Sequence, residues 1–337
     1  MMIAMQVPRP GAKFERAERE VPAPGADELL IRVHACGVCH SDAVTVEGLV
    51  PGLQYPRVPG HEVIGSVEAV GANVRGWAVG DRAGVGWFGG SCGHCRRCRR
   101  GEQFACETGS GATGVTRDGG YATNMLADVS AVAHVPVDLD EVEAAPLLCA
   151  GITTFNALRN SGAGPGDLVV IHGVGGLGHL GIQFSSRLGF RTIAVNRGRE
   201  KEALARALGA HDYIDSNEGD VAEALQARGG AKAIIATVSN ADAMKAIVGG
   251  LGPNGTLMVI GMVGPFDIDT FYSLLIKRAA VKGWYTGVAT DSEDTLAFSK
   301  LHGISSTNEV FPLEEAQAAY DRMMSGKARF RVVLRVN

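Results

Sequence analysis

Four cysteines crowd into one short stretch of this chain. Cys92, Cys95, Cys98 and Cys106 form C-x2-C-x2-C-x7-C. Thiolates this close in sequence suit a closed tetrahedral zinc site with Zn–S of ~2.3 Å and no open position, a structural centre. The metal would fold a lobe too poor in apolar side chains to hold itself. An iron–sulfur cluster competes, but the final spacing and the lack of a Cys-Pro pair do not match the bacterial ferredoxin run. Arg96, Arg97, Arg99 and Arg100 interleave with the cysteines. They could contact nucleic acid, but a solvated lobe surface that partly balances the thiolate charge is the better reading.

A second constellation is dispersed. Cys39 lies in GVCHSD, His61 and Glu62 in PGHEVIG, and Cys149 in LLCAGITT. Two thiolates and an imidazole would leave a fourth zinc position open, the composition of a catalytic centre. Taken singly, each cysteine reads as a small buried hydrophobe and the histidine as structural. Spacing alone does not bring the three together.

The third feature is glycine-rich. HGVGGLGHLG follows the apolar run LVVIHG and opens a helical stretch, so Gly173, Gly175 and Gly178 satisfy G-x-G-x-x-G in a strand–turn–helix context, with Gly176 inside the same turn. The first glycine allows the tight turn, the second the approach of a pyrophosphate and the third close helix packing. The anion then meets the helix amino terminus. NAD-binding versions end the next strand with an acidic residue for the ribose hydroxyls. Here RTIAVN ends at Asn196 and runs into Arg197, Gly198 and Arg199. Losing the carboxylate and gaining guanidinium groups favours a 2′-phosphate, hence NADP over NAD. The alternative is a solvated helix entry.

These groups need two kinds of scaffold. Residues 1–150 read as short strands broken by glycine and proline, among them LLIRVHACGV, VIGSVEAVG and DRAGVGW, as in a β-rich, barrel-like domain. From about residue 165 continuous apolar strands alternate with helical stretches: LVVIHG, RTIAVN, AKAIIATV, TLMVIGM (256–262) and AVKGWY (280–285). That rhythm indicates βαβ units and a parallel sheet covered on both faces. After residue 287 come two helical segments and a last strand, FRVVLRV. The 337 residues suit two domains. The net charge of −4 gives no reason to expect nucleic acid or an anionic membrane as partner. No run approaches a membrane span, and the amino terminus lacks the apolar core of a secretory signal, so a cytoplasmic protein is expected.

In GVCHSD, PGHEVIGSVEAVG, GSCGHCRRCRRG, LLCAGITTFNAL, GVGGLG and LGAHDYID, in this order over nearly the whole chain, the sequence resembles the zinc-containing medium-chain dehydrogenase/reductase family, most closely its yeast-type and bacterial alcohol dehydrogenases. The resemblance implies an α/β protein. A GroES-like catalytic domain would span 1–151 and 287–337, with the zinc lobe at 92–106, around a Rossmann domain at 152–286 with a doubly wound parallel sheet. It implies two zinc ions per chain, a catalytic one on Cys39, His61 and Cys149 and a structural one on the four clustered cysteines. Ser41 would take the alcohol proton, Asp42 would orient His61, and Glu62 would stand beside the metal. His40 and Arg331 would lie near the cofactor phosphates, Thr153 near the nicotinamide, and Trp87 in the pocket wall. The family's relay histidine, five residues after the first zinc cysteine in many members, is Val44 here, which removes an imidazole shuttle at that position. The activity implied is hydride transfer between a primary or secondary alcohol, or an aldehyde or ketone, and NAD(P), by a homodimer or homotetramer. A polyol dehydrogenase or aldehyde dismutase on the same scaffold, or a non-catalytic cofactor-binding protein, are the alternatives.

Overall fold

The computed structural model describes residues 1–336. The chain divides into two compact units: Met1–Ile152 with the residues from Gly287 onward, and Thr153–Thr286. The strands, in chain order, begin with β1 (Met2–Gln6), β2 (Glu15–Arg19), β3 (Glu28–Val38), β4 (Val63–Val70), β5 (Arg82–Val85), β6 (Asn124–Asp128) and β7 (Val132–His134). The second unit holds β8 (Leu168–His172), β9 (Arg191–Asn196), β10 (Asp212–Asp215), β11 (Ala231–Ala236), β12 (Leu251–Val259) and β13 (Ala280–Gly283). β14 (Asn308–Pro312) and β15 (Arg331–Arg335) return to the first.

In the first unit a seven-strand sheet runs β14-β15-β3-β4-β5-β7, with β6 also paired to β3. β3, ELLIRVHACGV, is the long central strand, and its apolar run is buried almost throughout because neighbours flank it on both sides. β3 is antiparallel to both β15 and β4: Val38 opposes Val332 and Cys36 opposes Val63. The end of β3 and the starts of β4 and β15 therefore meet at one rim of the sheet. β5 continues the sheet beyond β4, with Val85 opposite Val63, so the residues that follow β5 reach the same rim.

The second unit is a six-strand parallel sheet in the order β10-β9-β8-β11-β12-β13. Numbered within the unit this is 3-2-1-4-5-6, the dinucleotide-binding order, in which ligands sit at the carboxyl ends of the strands where the order reverses. All five residues of β8 are buried, as the two-sided covering of a parallel sheet requires. Fully burying a side chain such as Ile171 or Ile235 stabilises the fold by ~1.5–3 kcal/mol.

Two expectations shift. The strand expected at 256–262 runs Leu251–Val259, because a register shift lets Leu251 face Ala231 and Thr256 face Ala233. β10 and β14 are strands that apolar runs do not announce: DYID and NEVFP are short and bounded by polar residues or proline. The two carboxyl-terminal helices are Ala289–His302 and Ala316–Met324, ahead of β15. Among the described residues no helix is long and apolar enough to cross a membrane.

Candidate metal centres and dinucleotide turn

The rim where β3, β4 and β15 meet carries the dispersed constellation. Cys39 directly follows β3, His61 and Glu62 directly precede β4, and Arg331 opens β15. Cys149 ends the short turn Ala145–Leu148. The sequence could not join these residues; the antiparallel registry does. One ligand atom from each of Cys39, His61, Glu62 and Cys149 lies within 4.8 Å of all the others.

The details suit a tetrahedral cation. Cys39 Sγ and Cys149 Sγ are 3.8 Å apart, too far for a disulfide and the separation of two thiolates at ~2.3 Å from one tetrahedral zinc, ~3.8 Å. His61 is buried, its Nδ1 lies 3.0 Å from Asp42 Oδ1 at ion-pair distance, and neither ring nitrogen makes a hydrogen bond. A buried ring nitrogen without a partner is costly unless something absent here meets it, and a metal supplies that. The Cys39 thiol is held well below its ordinary pKa, chiefly by the hydrogen bond from Cys149, with His61 assisting against burial. Burial works against charge on His61, yet Asp42 and Cys39 beside it raise its pKa well above the usual value. The His61 shift reports neighbouring negative charge that a bound cation would answer, and the Cys39 shift favours the thiolate that a metal requires.

Asp42 is the hub beneath the histidine. Its Oδ2 accepts from Cys39 N–H and from the Tyr121 hydroxyl, both at 2.9 Å, and Oδ1 accepts from Gly60 N–H at 3.3 Å. Metal-bound histidines usually rest their second nitrogen on such a carboxylate, which fixes ring orientation and tautomer. Tyr121, fully buried, is the member that sequence reasoning missed. The available signal was the doublet Gly119-Gly120 before it. A Cβ on Gly119 would come 2.1 Å from Gly60 O, and one on Gly120 2.2 Å from Val63 Cγ2. Glu62 is fully buried, with Oε1 on the Arg331 guanidinium and Oε2 without a partner. Burial pushes its carboxyl up to about 7 against the opposing pull of Arg331. A Cβ on Gly37 would lie 1.9 Å from Glu62 Oε2, so only glycine on β3 leaves room for this carboxylate. The Trp87 ring stands edge-on to His61, with centroids 4.9 Å apart.

The clustered cysteines form the second centre, with sulfurs within 4.8 Å of one another and Cys92 Sγ 4.0 Å from Cys98 Sγ. Backbone N–H groups already point at the sulfurs: Cys95 N–H donates to Cys92 Sγ at 3.4 Å and Cys98 N–H to Cys95 Sγ at 3.5 Å. Cys92 N–H donates to Cys106 Sγ, also at 3.5 Å. These donors favour thiolates, and those from Cys95 and then His94 bring Cys92 down to about 6. Arg96, Arg97, Arg99 and Arg100 are exposed, and Arg97 pairs with Glu102 at 2.7 Å.

Two family models match this chain. The alcohol dehydrogenase GroES-like domain covers residues 25–137 and the zinc-binding dehydrogenase model covers 176–300. The alcohol dehydrogenase notN of an Aspergillus species is 45% identical over 92% of this chain and 91% of its own length. The chain belongs to the zinc-containing medium-chain alcohol dehydrogenase family. An alcohol dehydrogenase of Geobacillus stearothermophilus is 36% identical over 95% of each protein. The CAD from Helicobacter pylori, solved in complex with NADP(H), superposes with a TM-score of 0.86 at 26% identity, covering 99% of this chain and 97% of that one. The protein is thus a zinc-dependent alcohol dehydrogenase with both zinc sites in place, and the six-strand and β-rich units are the Rossmann-like and GroES-like parts of the family fold.

In this dehydrogenase the glycine turn has the shape its fingerprint demands. Gly173, at φ +99°, could not carry a Cβ without meeting Thr237 Oγ1 at 2.7 Å. A Cβ on Gly178 would lie 1.8 Å from Gly173 O, so the helix Gly178–Arg187 packs against the strand end only without a side chain there. Gly175 faces open space, where a pyrophosphate can approach, and Gly176 beside it is half-exposed. Asn196 Oδ1 accepts from Val174 N–H at 3.2 Å, tying the end of β9 to this turn. Arg197 is exposed and Thr153 is buried on the helix Ala150–Arg159. In the 3-10 turn His40–Asp42, His40 is exposed, and Ser41 is half-buried with no hydroxyl partner among the described residues.

Proposed function

We propose that this alcohol dehydrogenase binds its catalytic zinc through Cys39, His61 and Cys149 and oxidises primary or secondary alcohols, or reduces the matching carbonyls, with NADP preferred over NAD. The buried, unpartnered Nε2 of His61, flanked by two thiol sulfurs 3.8 Å apart and backed by Asp42, carries the reading. Zinc, when bound, supplies Lewis acidity at the substrate oxygen, and the dinucleotide exchanges the hydride.

The chain's own residues do the rest. Asp42, 3.0 Å from Nδ1 of His61, orients the ring so that Nε2 faces the metal. Ser41, two residues from Cys39 with a free hydroxyl, accepts the proton that leaves the substrate oxygen. Val44 offers no onward imidazole, so the proton passes from Ser41 to water or to a ribose hydroxyl. Glu62, neutralised on one side by Arg331, tempers the charge at the centre. Trp87 walls the pocket beside His61. Gly173, Gly175, Gly176 and Gly178 admit the pyrophosphate, and Thr153, in the same unit, meets the nicotinamide. Asn196 and Arg197 read the adenosine ribose, where the missing carboxylate and the exposed guanidinium suit a 2′-phosphate. The NADP(H) complex of the Helicobacter pylori relative supports that preference.

A homodimer or homotetramer accompanies this reading. It is supported by an exposed apolar stretch, Phe271, Tyr272, Leu275 and Ile276, ahead of the exposed strand β13, since contiguous apolar surface marks association sites. Initial rates over a panel of primary, secondary and aromatic alcohols, NADP against NAD, test the proposal. A clear NADP advantage that Arg197→Gly abolishes upholds the ribose reading; preference for NAD rejects it. Turnover of an aldehyde without added dinucleotide would instead indicate a dismutase.

A further inference from the structure

The turn after β9 is pinned in place. Gly198, at φ +75°, donates its N–H to Asp215 Oδ1 at 2.8 Å, and its carbonyl accepts from the Tyr213 hydroxyl at 2.6 Å. Two arginines leave this turn in opposite states. Arg197 is exposed and has no ion-pair partner among the described residues. Arg199 is gripped: its Nε donates to Glu218 Oε1 at 2.6 Å, a terminal nitrogen donates to Glu218 Oε2, and the other donates to Glu202 Oε2 at 2.9 Å. Glu202 is shared with Arg206, which holds its other oxygen at 2.9 and 3.1 Å. Glu218, on the loop after β10, therefore takes two of the three hydrogen bonds of the Arg199 guanidinium, and Glu202 takes the third.

We infer that Glu218 is a specificity-determining residue that lowers selectivity for NADP by occupying Arg199, the second guanidinium able to meet a 2′-phosphate. The inference rests on the reading of Asn196–Arg199 as the ribose site. The planar fork that binds a carboxylate through two parallel hydrogen bonds binds a phosphate the same way. With Glu218 in the fork, the phosphate of NADP finds Arg197 alone and faces an added negative charge. NAD, which lacks that phosphate, is indifferent to the clasp. Both partners are more than half exposed, at 59% and 51%, and ion pairs this exposed are weak enough to exchange.

The test is titration of zinc-replete enzyme with NADPH and with NADH, followed by nucleotide fluorescence, so it reads binding and not turnover. Glu218→Gln keeps the size and removes the charge. It should tighten NADPH about five- to tenfold and change NADH less than about twofold. In an Arg199→Gln background the same substitution should give no gain. An unchanged NADPH affinity, an equal shift for NADH, or a gain that persists without Arg199 would each overturn the inference. Arg197→Gly tests the ribose reading separately. If it leaves NADPH binding unchanged while Glu218→Gln still tightens it, Arg197 leaves the site, and Arg199 with Glu218 remains.

Discussion

At the scale of single residues, the catalytic centre is a problem of charge and orientation. Asp42 Oδ1 lies 3.0 Å from Nδ1 of His61, on the side away from Nε2, and Asp42 is itself fixed by Cys39 N–H and Tyr121. Asp42→Asn should therefore leave the ligand set intact but weaken zinc binding by roughly 10- to 100-fold, measured as faster metal loss to a chelator. Loss at the wild-type rate would remove Asp42 from the supporting shell. A second residue makes a pH prediction. His172, buried at the end of β8, is held down at about 4 against an ordinary 6.5 because burial disfavours its charged form. Below its unfolded pKa the unfolded chain takes up a proton that the folded one refuses. Its stabilising contribution is thus intact above about pH 6.5 and falls by roughly 3 kcal/mol as pH drops towards about 4. Denaturant unfolding of His172→Gln at about pH 5 and about pH 7.5 should show a smaller difference than the wild type. An identical pH dependence would contradict it. At this scale the sequence offered Cys39, His61, Cys149 and Asp42 as candidates through their motifs, but not Tyr121 or the Glu62–Arg331 pair. Those contacts span 79 and 269 residues, and no local pattern encodes them.

At the scale of elements, each site is a consequence of strand ends. Cys39, His61 and Arg331 converge because β3 is antiparallel to β4 and β15, and the glycine turn is placed by β8 at the point where the parallel order reverses. Strands with continuous apolar runs were legible, and RTIAVN is β9 to the residue. β10 and β14 were not, since neighbours rather than composition make them strands. The cysteine lobe is the element most dependent on its metal. It has two 3-10 turns, Cys98–Arg100 and Gln103–Ala105, and between Ser91 and Gly109 only Cys98 and Cys106 are buried. Cys98→Ser should lower the melting temperature by several degrees, as the loss of a metal constraint does, while the nucleotide preference stays unchanged. An unaltered melting temperature would argue against a structural zinc.

At the scale of the whole molecule, one chain holds two cation sites of different design. One is a closed set of four sulfurs in a lobe; the other is a cluster of two cysteines, a glutamate and a histidine whose ring nitrogens make no hydrogen bond. The two-domain organisation and the chemistry were readable because the motifs are strung along the chain in order, each with its own physical reason. The sequence shows Arg197 and Arg199 as equals, and only the fold reveals that Glu218 neutralises one of them.

The central claim is that Cys39, His61 and Cys149 hold the zinc at which alcohols react. Zinc content per chain, measured alongside alcohol turnover in the wild type and in Cys149→Ser, tests it most directly. The account predicts two zinc ions and turnover in the wild type, and one retained zinc, a folded protein and no turnover in the variant. Near-normal turnover with both zinc ions still bound in Cys149→Ser would contradict it.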